Sequence, residues 1–136
     1  MQDVRWRQRF QNFERAVALL REPLERDLAS LSALEKEGTV QRFEFALELG
    51  WKTMKDYLEH EGHLIQPVTP RNVIKLAFST GVVEDGQVWI DMLNHRNLLA
   101  HTYDESAFEE AVVALRDRYH PAIEALYVWL SGRLGS

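Results

Sequence analysis

Apolar residues recur every three or four positions along most of the chain, which is the period of helices with one buried face. A first helix is predicted from Trp6, Phe10, Phe13, Val17, Leu20 and Leu24, and Pro23 should bend or end it. The connection from Arg26 to Gly38 is expected to be looser, with Leu28, Leu31 and Leu34 still covering the core. A longer second helix follows on Val40, Phe43, Leu47, Trp51, Met54 and Leu58 and stops at His60-Glu61-Gly62.

The second half of the chain predicts three further helices. Thr69 should cap a short helix from Arg71 to about Phe78, with Pro70 in its first turn. After a turn at Asp85-Gly86, the next helix is defined by Trp89, Met92, Leu93, Leu99 and Ala100. Either Asp104 or Ser106 should cap a last long helix that Pro121 kinks, with an apolar side formed by Phe108, Val112, Leu115, Tyr119, Ile123, Leu126 and Leu130.

These elements predict an all-α fold, because no stretch alternates apolar and polar residues with the period of a strand. We expect an up-and-down four-helix bundle with one additional short helix, folded as a single domain over residues 1–136. This length supports one core and is too short for two comfortable domains.

Composition places the chain among soluble globular proteins, with 46% hydrophobic and 27% charged residues. No apolar run approaches the roughly 20 residues that span a bilayer, and the amino terminus lacks the apolar core of a signal peptide. The sequence contains no cysteine, which excludes a disulfide framework and thiolate chemistry and agrees with a reducing compartment. We therefore expect a cytoplasmic protein.

The net charge of −5 argues against a general nucleic-acid coat, since such proteins carry the opposite balance. Any contact with RNA must come from a local cluster of arginines, which dimerisation could create.

The segment His95-Arg96-Asn97-Leu98-Leu99-Ala100-His101-Thr102-Tyr103-Asp104 holds the densest candidate chemistry. On a helix, Asn97 and His101 share one stripe, and Arg96 and Tyr103 share the adjoining one. Arg96 stands out because its stripe is otherwise apolar, and a guanidinium cannot lose its charge there.

Two acceptors for Arg96 remain open. One is a structural carboxylate, from Glu44 or Glu48 on the second helix or from Asp104 or Glu105 after the motif. The other is a bound phosphate. On charge alone, the two explanations fit equally well.

Together, the motif residues form a set sufficient for metal-independent RNA cleavage. Arg96 would neutralise phosphate charge, His101 would move the proton of a 2′-hydroxyl or leaving group, and Asn97 would orient the substrate. Arg96 and His101 are thus the candidate catalytic residues, with Arg96 and Asn97 also binding substrate. Taken singly, His101 fits a capping or core role, and Tyr103 fits a core aromatic role.

Other candidate sites are weaker. Lys52 beside Trp51 could present a cation and a ring to a nucleotide, although the first interpretation of Trp51 is a core residue. His60 and His63 have helix-compatible spacing, but Gly62 interrupts them, so no metal site is expected. The sequence has no glycine-rich phosphate loop and no paired aspartates placed to hold catalytic magnesium.

Two blocks, residues 41–58 and 91–104, resemble one branch of the HEPN superfamily, the nucleotidyltransferase substrate-binding proteins related to HepT-type toxins. The second block carries the pattern of arginine, four residues, histidine, one residue and tyrosine. Thr69-Pro70-Arg71 and the short helix also fit, so the similarity covers nearly the whole chain.

The resemblance implies a HEPN-like bundle that pairs as a homodimer, with two copies of the motif at one cleft. It also implies a minimal nucleotidyltransferase from a neighbouring gene as partner. That partner would supply the metal-binding carboxylates, so ATP and Mg would belong to it, and no intrinsic cofactor is expected.

Three functions follow from the resemblance and the residues. The chain could be the substrate-binding or regulatory subunit of a two-component nucleotidyltransferase, as in a type VII-like toxin–antitoxin pair. Alternatively, it could be a ribonuclease toxin that cuts RNA with Arg96 and His101 and that its partner neutralises, with AMP attached to Tyr103. The third interpretation is a structural dimerising bundle without catalysis.

Overall fold

The computed structural model describes residues 2–101 and 104–135, and the side chains of residues 2, 3 and 101 lie outside that description. The described chain is helical, with α1 (Gln2–Leu24), α2 (Ala33–His60), α3 (Pro70–Ser79), α4 (Gly86–His101), α5 (Glu105–Ala114) and α6 (His120–Ser131). A short 3₁₀ helix (Leu28–Ser30) lies between α1 and α2. The predicted all-α bundle is confirmed.

Helix α1 runs antiparallel to both α2 and α6, as an up-and-down bundle requires. Phe10 of α1 stacks on Tyr127 of α6, with ring centroids 5.7 Å apart, and Trp6 contacts Tyr57 near the far end of α2. The core is built from the apolar faces that the period predicted: Phe13, Leu47, Met54, Met92 and Ile123 are each fully buried.

Gly50 lies where side chains of α1 and α4 pack directly on α2. A Cβ atom at this position would lie 3.2 Å from Phe13 Cε1 and 3.2 Å from Trp89 Cη2. Both rings are buried, so they have little room to move. The missing side chain at Gly50 therefore leaves room for the rings of Phe13 and Trp89 against α2.

The start of α2 corrects one prediction. The helix begins at Ala33 and not after Gly38, because Ser32 and Glu35 form a capping box. The Ser32 hydroxyl accepts from the Glu35 N–H at 3.1 Å, and the Glu35 carboxylate accepts from the Ser32 N–H at 2.9 Å. Leu34 consequently projects into solvent and is 77% exposed, so its predicted place over the core is wrong, whereas Leu28 is buried.

The predicted end of α1 and the predicted start of α3 are confirmed. Helix α1 continues through Pro23 and ends one residue later. Thr69 caps α3 by accepting from the Asn72 N–H at 3.1 Å, and Pro70 occupies the first turn. Gly62 and Gly81, which follow α2 and α3, have φ values of +93° and +85°, a region that favours glycine.

Asp104, not Ser106, caps the last helical stretch, since its carboxylate accepts from the N–H groups of Ser106 and Ala107. The irregularity predicted at Pro121 precedes that residue as a π-helical turn over Leu115–Tyr119, closed by the His120 N–H bonding to the Leu115 carbonyl. Proline has no N–H for the carbonyl of residue 117, and its ring crowds the preceding turn, so the helix widens there.

In the described part of the chain, no helix combines the length and the apolar character that a membrane span requires.

Candidate functional site

Helix α4 carries the motif through His101 and presents it between α2 and α5. Its inner stripe is formed by Val88, Trp89, Met92 and Leu93, all buried. Leu99 is half-buried and Ala100 is exposed, so the prediction that Ala100 belongs to the apolar face is wrong. The apolar contacts of α4 therefore weaken towards the carboxyl end, where the polar motif residues follow.

Glu48 is the carboxylate partner of Arg96. Its Oε2 accepts from Arg96 Nη1 at 3.3 Å, while its Oε1 lies 2.9 Å from Lys52 Nζ. The indole N–H of Trp51 also donates to Glu48, at 3.1 Å. We call Glu48, Trp51, Lys52 and Arg96 the Glu48 cluster. It joins α2 to the motif helix, and of the candidate carboxylates it is Glu48 that pairs with Arg96.

The charges in the Glu48 cluster do not cancel. Burial raises the pKa of Glu48, but hydrogen bonds from Lys52 and Trp51 and the charge of Arg96 outweigh it and lower the pKa below its ordinary value. Glu48 is therefore ionised at neutral pH beside two cations. The bond to Glu48 leaves the other N–H groups of Arg96 without a partner among the described residues, so they are available to a further acceptor.

Trp51 and Lys52 have different environments, one in the core and the other at the surface. Trp51 is a core residue, as predicted first, and is only 9% exposed. The Lys52 ammonium nevertheless lies 5.9 Å from the centroid of the Trp51 ring, and 37% of its side chain is exposed. Lys52 is thus held at the surface next to Arg96 by the same carboxylate.

The structure describes two of the four predicted motif side chains. Arg96 is half-buried against α2, and Asn97 is exposed on the outer side of α4 beside Leu98, which is 42% exposed. The side chain of His101 and the whole of Tyr103 lie outside the described residues. Arg96 and Lys52 are brought together, whereas Asn97 lies on a different stripe of α4.

A contact that the sequence did not predict lies directly before Arg96. The His95 Nδ1 atom is hydrogen-bonded to the hydroxyl of Tyr119, in the π-helical turn. Arg118 of the same turn pairs with Asp91 of α4 at 2.7 Å. Burial raises the pKa of Tyr119, so its phenol stays protonated at neutral pH. The wider turn thus fixes two residues on α4, one helical turn apart, and so orients the motif helix.

No group of three histidine, cysteine, aspartate or glutamate side chains able to hold a metal ion occurs among the described residues.

Comparisons with known proteins identify the family of the chain. Residues 8–131 match the family described as "Nucleotidyltransferase substrate binding protein like". The chain belongs to this family, and the resemblance to HEPN and HepT-like proteins is confirmed.

A crystal structure of a Thermus thermophilus protein is similar to this chain, with a TM-score of 0.76 and 31% identity, covering 91% of this chain and 99% of that one. A second structure, from Haemophilus influenzae, is described as revealing the fold of a substrate-binding domain of a nucleotidyltransferase. It has a TM-score of 0.65 and 24% identity, and covers 95% of this chain and 98% of that one.

A curated relative, the "Probable ribonuclease HepT" of Haemophilus influenzae, is 30% identical over 71 residues. The match covers 50% of this chain and 49% of the relative, so the chain spans about half the length of the relative that it matches.

Proposed function

We propose that this chain binds a phosphate-bearing substrate through Arg96 and Lys52 and serves as the substrate-binding subunit of a separately encoded minimal nucleotidyltransferase, as in a type VII-like toxin–antitoxin pair. The observation that carries this proposal is the Glu48 cluster, in which one carboxylate holds two cations where α2 meets the motif helix. A phosphate can accept from the remaining donors of both cations. The family description supports a nucleotidyltransferase as partner.

The proposed subunit brings no cofactor of its own, and ATP and Mg belong to the partner. Asn97, exposed on the neighbouring stripe, is the proposed orienting group for the substrate. The exposed outer side of α4, with Asn97 and Leu98, supports a homodimer in which two motif helices line one cleft. Sedimentation that shows only monomers at working concentration would remove the dimer from the proposal.

The test is calorimetric titration of the chain by itself with ATP, which serves here as a phosphate-bearing probe and not as the partner's cofactor. Arg96→Ala and Lys52→Met should each weaken binding about tenfold, because each removes a charged phosphate contact. Lys36→Met is the matched control, since Lys36 pairs with Glu109 at 3.4 Å and lies outside the cluster. Equal affinities in all four proteins would contradict the proposal.

A second candidate function is metal-independent RNA cleavage, favoured by the likeness to the probable ribonuclease HepT and by Arg96 and His101 in one motif. Arg96 would stabilise the negative charge that develops on the phosphate, and His101 would transfer the proton. The partner would then act as antitoxin, and AMP attached to Tyr103 would add negative charge that pairs with Arg96 and repels RNA.

Incubation of the protein with RNA in chelator separates the two candidates. If the wild-type protein cleaves RNA and both Arg96→Ala and His101→Ala abolish the cleavage, the ribonuclease is supported. If the wild-type protein does not cleave RNA, the substrate-binding subunit is favoured. Mass spectrometry of the chain co-expressed with its partner tests Tyr103 for an AMP adduct.

A further inference from the structure

A groove of about 370 Å³ lies between the outer faces of α1 and α2. Leu19, Phe45 and Leu49 supply its apolar walls, and Arg15 and Arg42 supply its charges. No carboxylate is among the described residues that line it. We call it the α1–α2 groove. It combines apolar contact with positive charge on a protein whose net charge is −5.

Phe45 is the aromatic residue of the groove, and it is 60% exposed. The core positions of α2 explain why, since Phe43 and Leu47 are buried and Phe45, two residues from each, lies on the opposite side of the helix. Leu19 beside it is 54% exposed. A phenyl ring in this position offers a free face to a planar ligand.

The two arginines are held at the groove by local acceptors. Arg42 Nη1 donates to the Leu19 carbonyl at 2.7 Å and to Glu22 at 3.3 Å, and Arg15 donates to Asn12 at 3.4 Å. The remaining N–H groups of both guanidinium groups have no partner within residues 2–101 and 104–135. They can therefore bind an anion that enters the groove.

The α1–α2 groove adjoins the Glu48 cluster along one face of α2. Lys52 follows Phe45 by seven residues, which brings both side chains to nearly the same stripe about 10 Å apart along the helix axis. A ligand that contacts Lys52 and Arg96 with one phosphate can thus extend over Phe45 towards Arg42.

We propose that the α1–α2 groove binds single-stranded RNA, with Phe45 stacking on one base and Arg15 and Arg42 contacting the phosphates beside it. This inference rests on the proposed binding of phosphate by Arg96 and Lys52 and adds a second contact to it. Alternation of an aromatic face with cationic side chains is the arrangement by which proteins bind single strands without reading their sequence.

Charge favours RNA over a second copy of this chain as the occupant. A twofold contact through the groove would place Arg15 and Arg42 of one protomer against the same residues of its partner, and the exposed pair of Arg42 with Glu22 offsets that repulsion only in part. A polyanion instead meets complementary charge at Arg15 and Arg42.

The test is fluorescence anisotropy with a labelled oligouridylate of about ten nucleotides, a length within the range that single-strand sites cover. It uses the full chain with His101→Ala in every protein, so that the probe stays intact. Phe45→Leu should weaken RNA binding about tenfold, since it keeps the apolar volume and removes the stacking ring. Phe45→Trp keeps an aromatic ring and should bind RNA as tightly as the protein with Phe45. Phe78→Leu is the matched control because Phe78 is also exposed, at 55%, but lies on α3.

Salt dependence and a ligand without bases complete the design. Arg15→Gln and Arg42→Gln should each reduce the slope of log affinity against log salt by about one. Inorganic tripolyphosphate should bind the Phe45→Leu protein as it binds the wild type, because it has no base to stack.

Three other outcomes would count against the α1–α2 groove as an RNA site. If Arg96→Ala weakens RNA binding while Phe45→Leu leaves it unchanged, the groove is not an RNA site and the proposed function stands. If Phe45→Leu shifts the sedimentation coefficient, the groove is an interface between copies of the chain and the inference is overturned. If the protein does not bind the oligonucleotide even at low salt, the inference also fails, whereas ATP binding still decides the proposed function.

Discussion

Glu48 of α2 and Arg96 of α4 form an ion pair at 3.3 Å, and the same carboxylate holds Lys52 at 2.9 Å. One acidic residue thus fixes two cations that come from different helices. Its negative charge also competes with any anion that approaches them. The strength of phosphate binding should therefore depend on Glu48 as much as on the cations.

Replacing Glu48 by glutamine should tighten the binding of a phosphate-bearing ligand about fivefold at low salt, because the substitution removes one opposing charge and keeps the side-chain shape. Anisotropy with labelled ATP at several salt concentrations measures the effect, which should shrink as salt rises. Glu44→Gln removes the same charge one turn earlier on α2 and serves as control. Equal gains from the two substitutions would show that only net charge matters.

The carboxyl of Glu48 should titrate below its ordinary pKa of 4.5. Because its pKa is lower in the folded than in the unfolded state, its ion pairs stabilise the fold above that value and lose their effect as the pH falls through the folded-state pKa. Side-chain carbon NMR measures the midpoint, and Lys52→Met should raise it, whereas Lys36→Met should leave it in place. A midpoint at or above the ordinary value would contradict the description of the cluster.

Gly50→Ala should destabilise the protein by about 1 kcal/mol, because crowding against the rings of Phe13 and Trp89 exceeds the gain in helix propensity. Gly38 lies in the same helix, and a Cβ added there would have no described atom within 4 Å apart from its chain neighbours and the backbone of its own helix. Gly38→Ala should therefore stabilise the protein by about 0.5 to 1 kcal/mol. Urea unfolding measures both, and effects of the same sign would refute the tight packing of Phe13 and Trp89 on Gly50.

Asp56 is a buried carboxylate, 1% exposed, with Arg9 at 3.0 Å and Lys55 at 3.2 Å. Arg9→Ala should lower the free energy of unfolding by about 2 kcal/mol, since it removes one of two partners from a buried charge. Arg5→Ala, an exposed change on the same helix, should stay within about 0.5 kcal/mol. Thermal unfolding of the two variants gives the comparison, and similar stabilities would mean that Lys55 alone satisfies Asp56.

The helices of this protein and most of its core follow from local patterns along the chain. The spacing of Phe43, Leu47 and Met54 predicts a buried face wherever the helix packs, and Thr69 with Pro70 marks a helix start on its own. Ser32 and Glu35 carry the same kind of local signal, a capping box that places the start of α2 earlier than apolar spacing alone suggested. Likewise, Phe45 falls opposite the core positions of α2, so its exposure could have been read from the period.

The residue pairs that build the site depend on contacts between helices far apart in the sequence. Whether Arg96 meets Glu44, Glu48 or a ligand depends on how α4 packs on α2, and the structure pairs it with Glu48. The contact of His95 with Tyr119 depends on a π-helical turn that rotates the last helix by part of a turn. Periodicity specifies which face of a helix is apolar, but the register between two faces is the outcome of packing the whole core, so only the folded chain determines which charges meet.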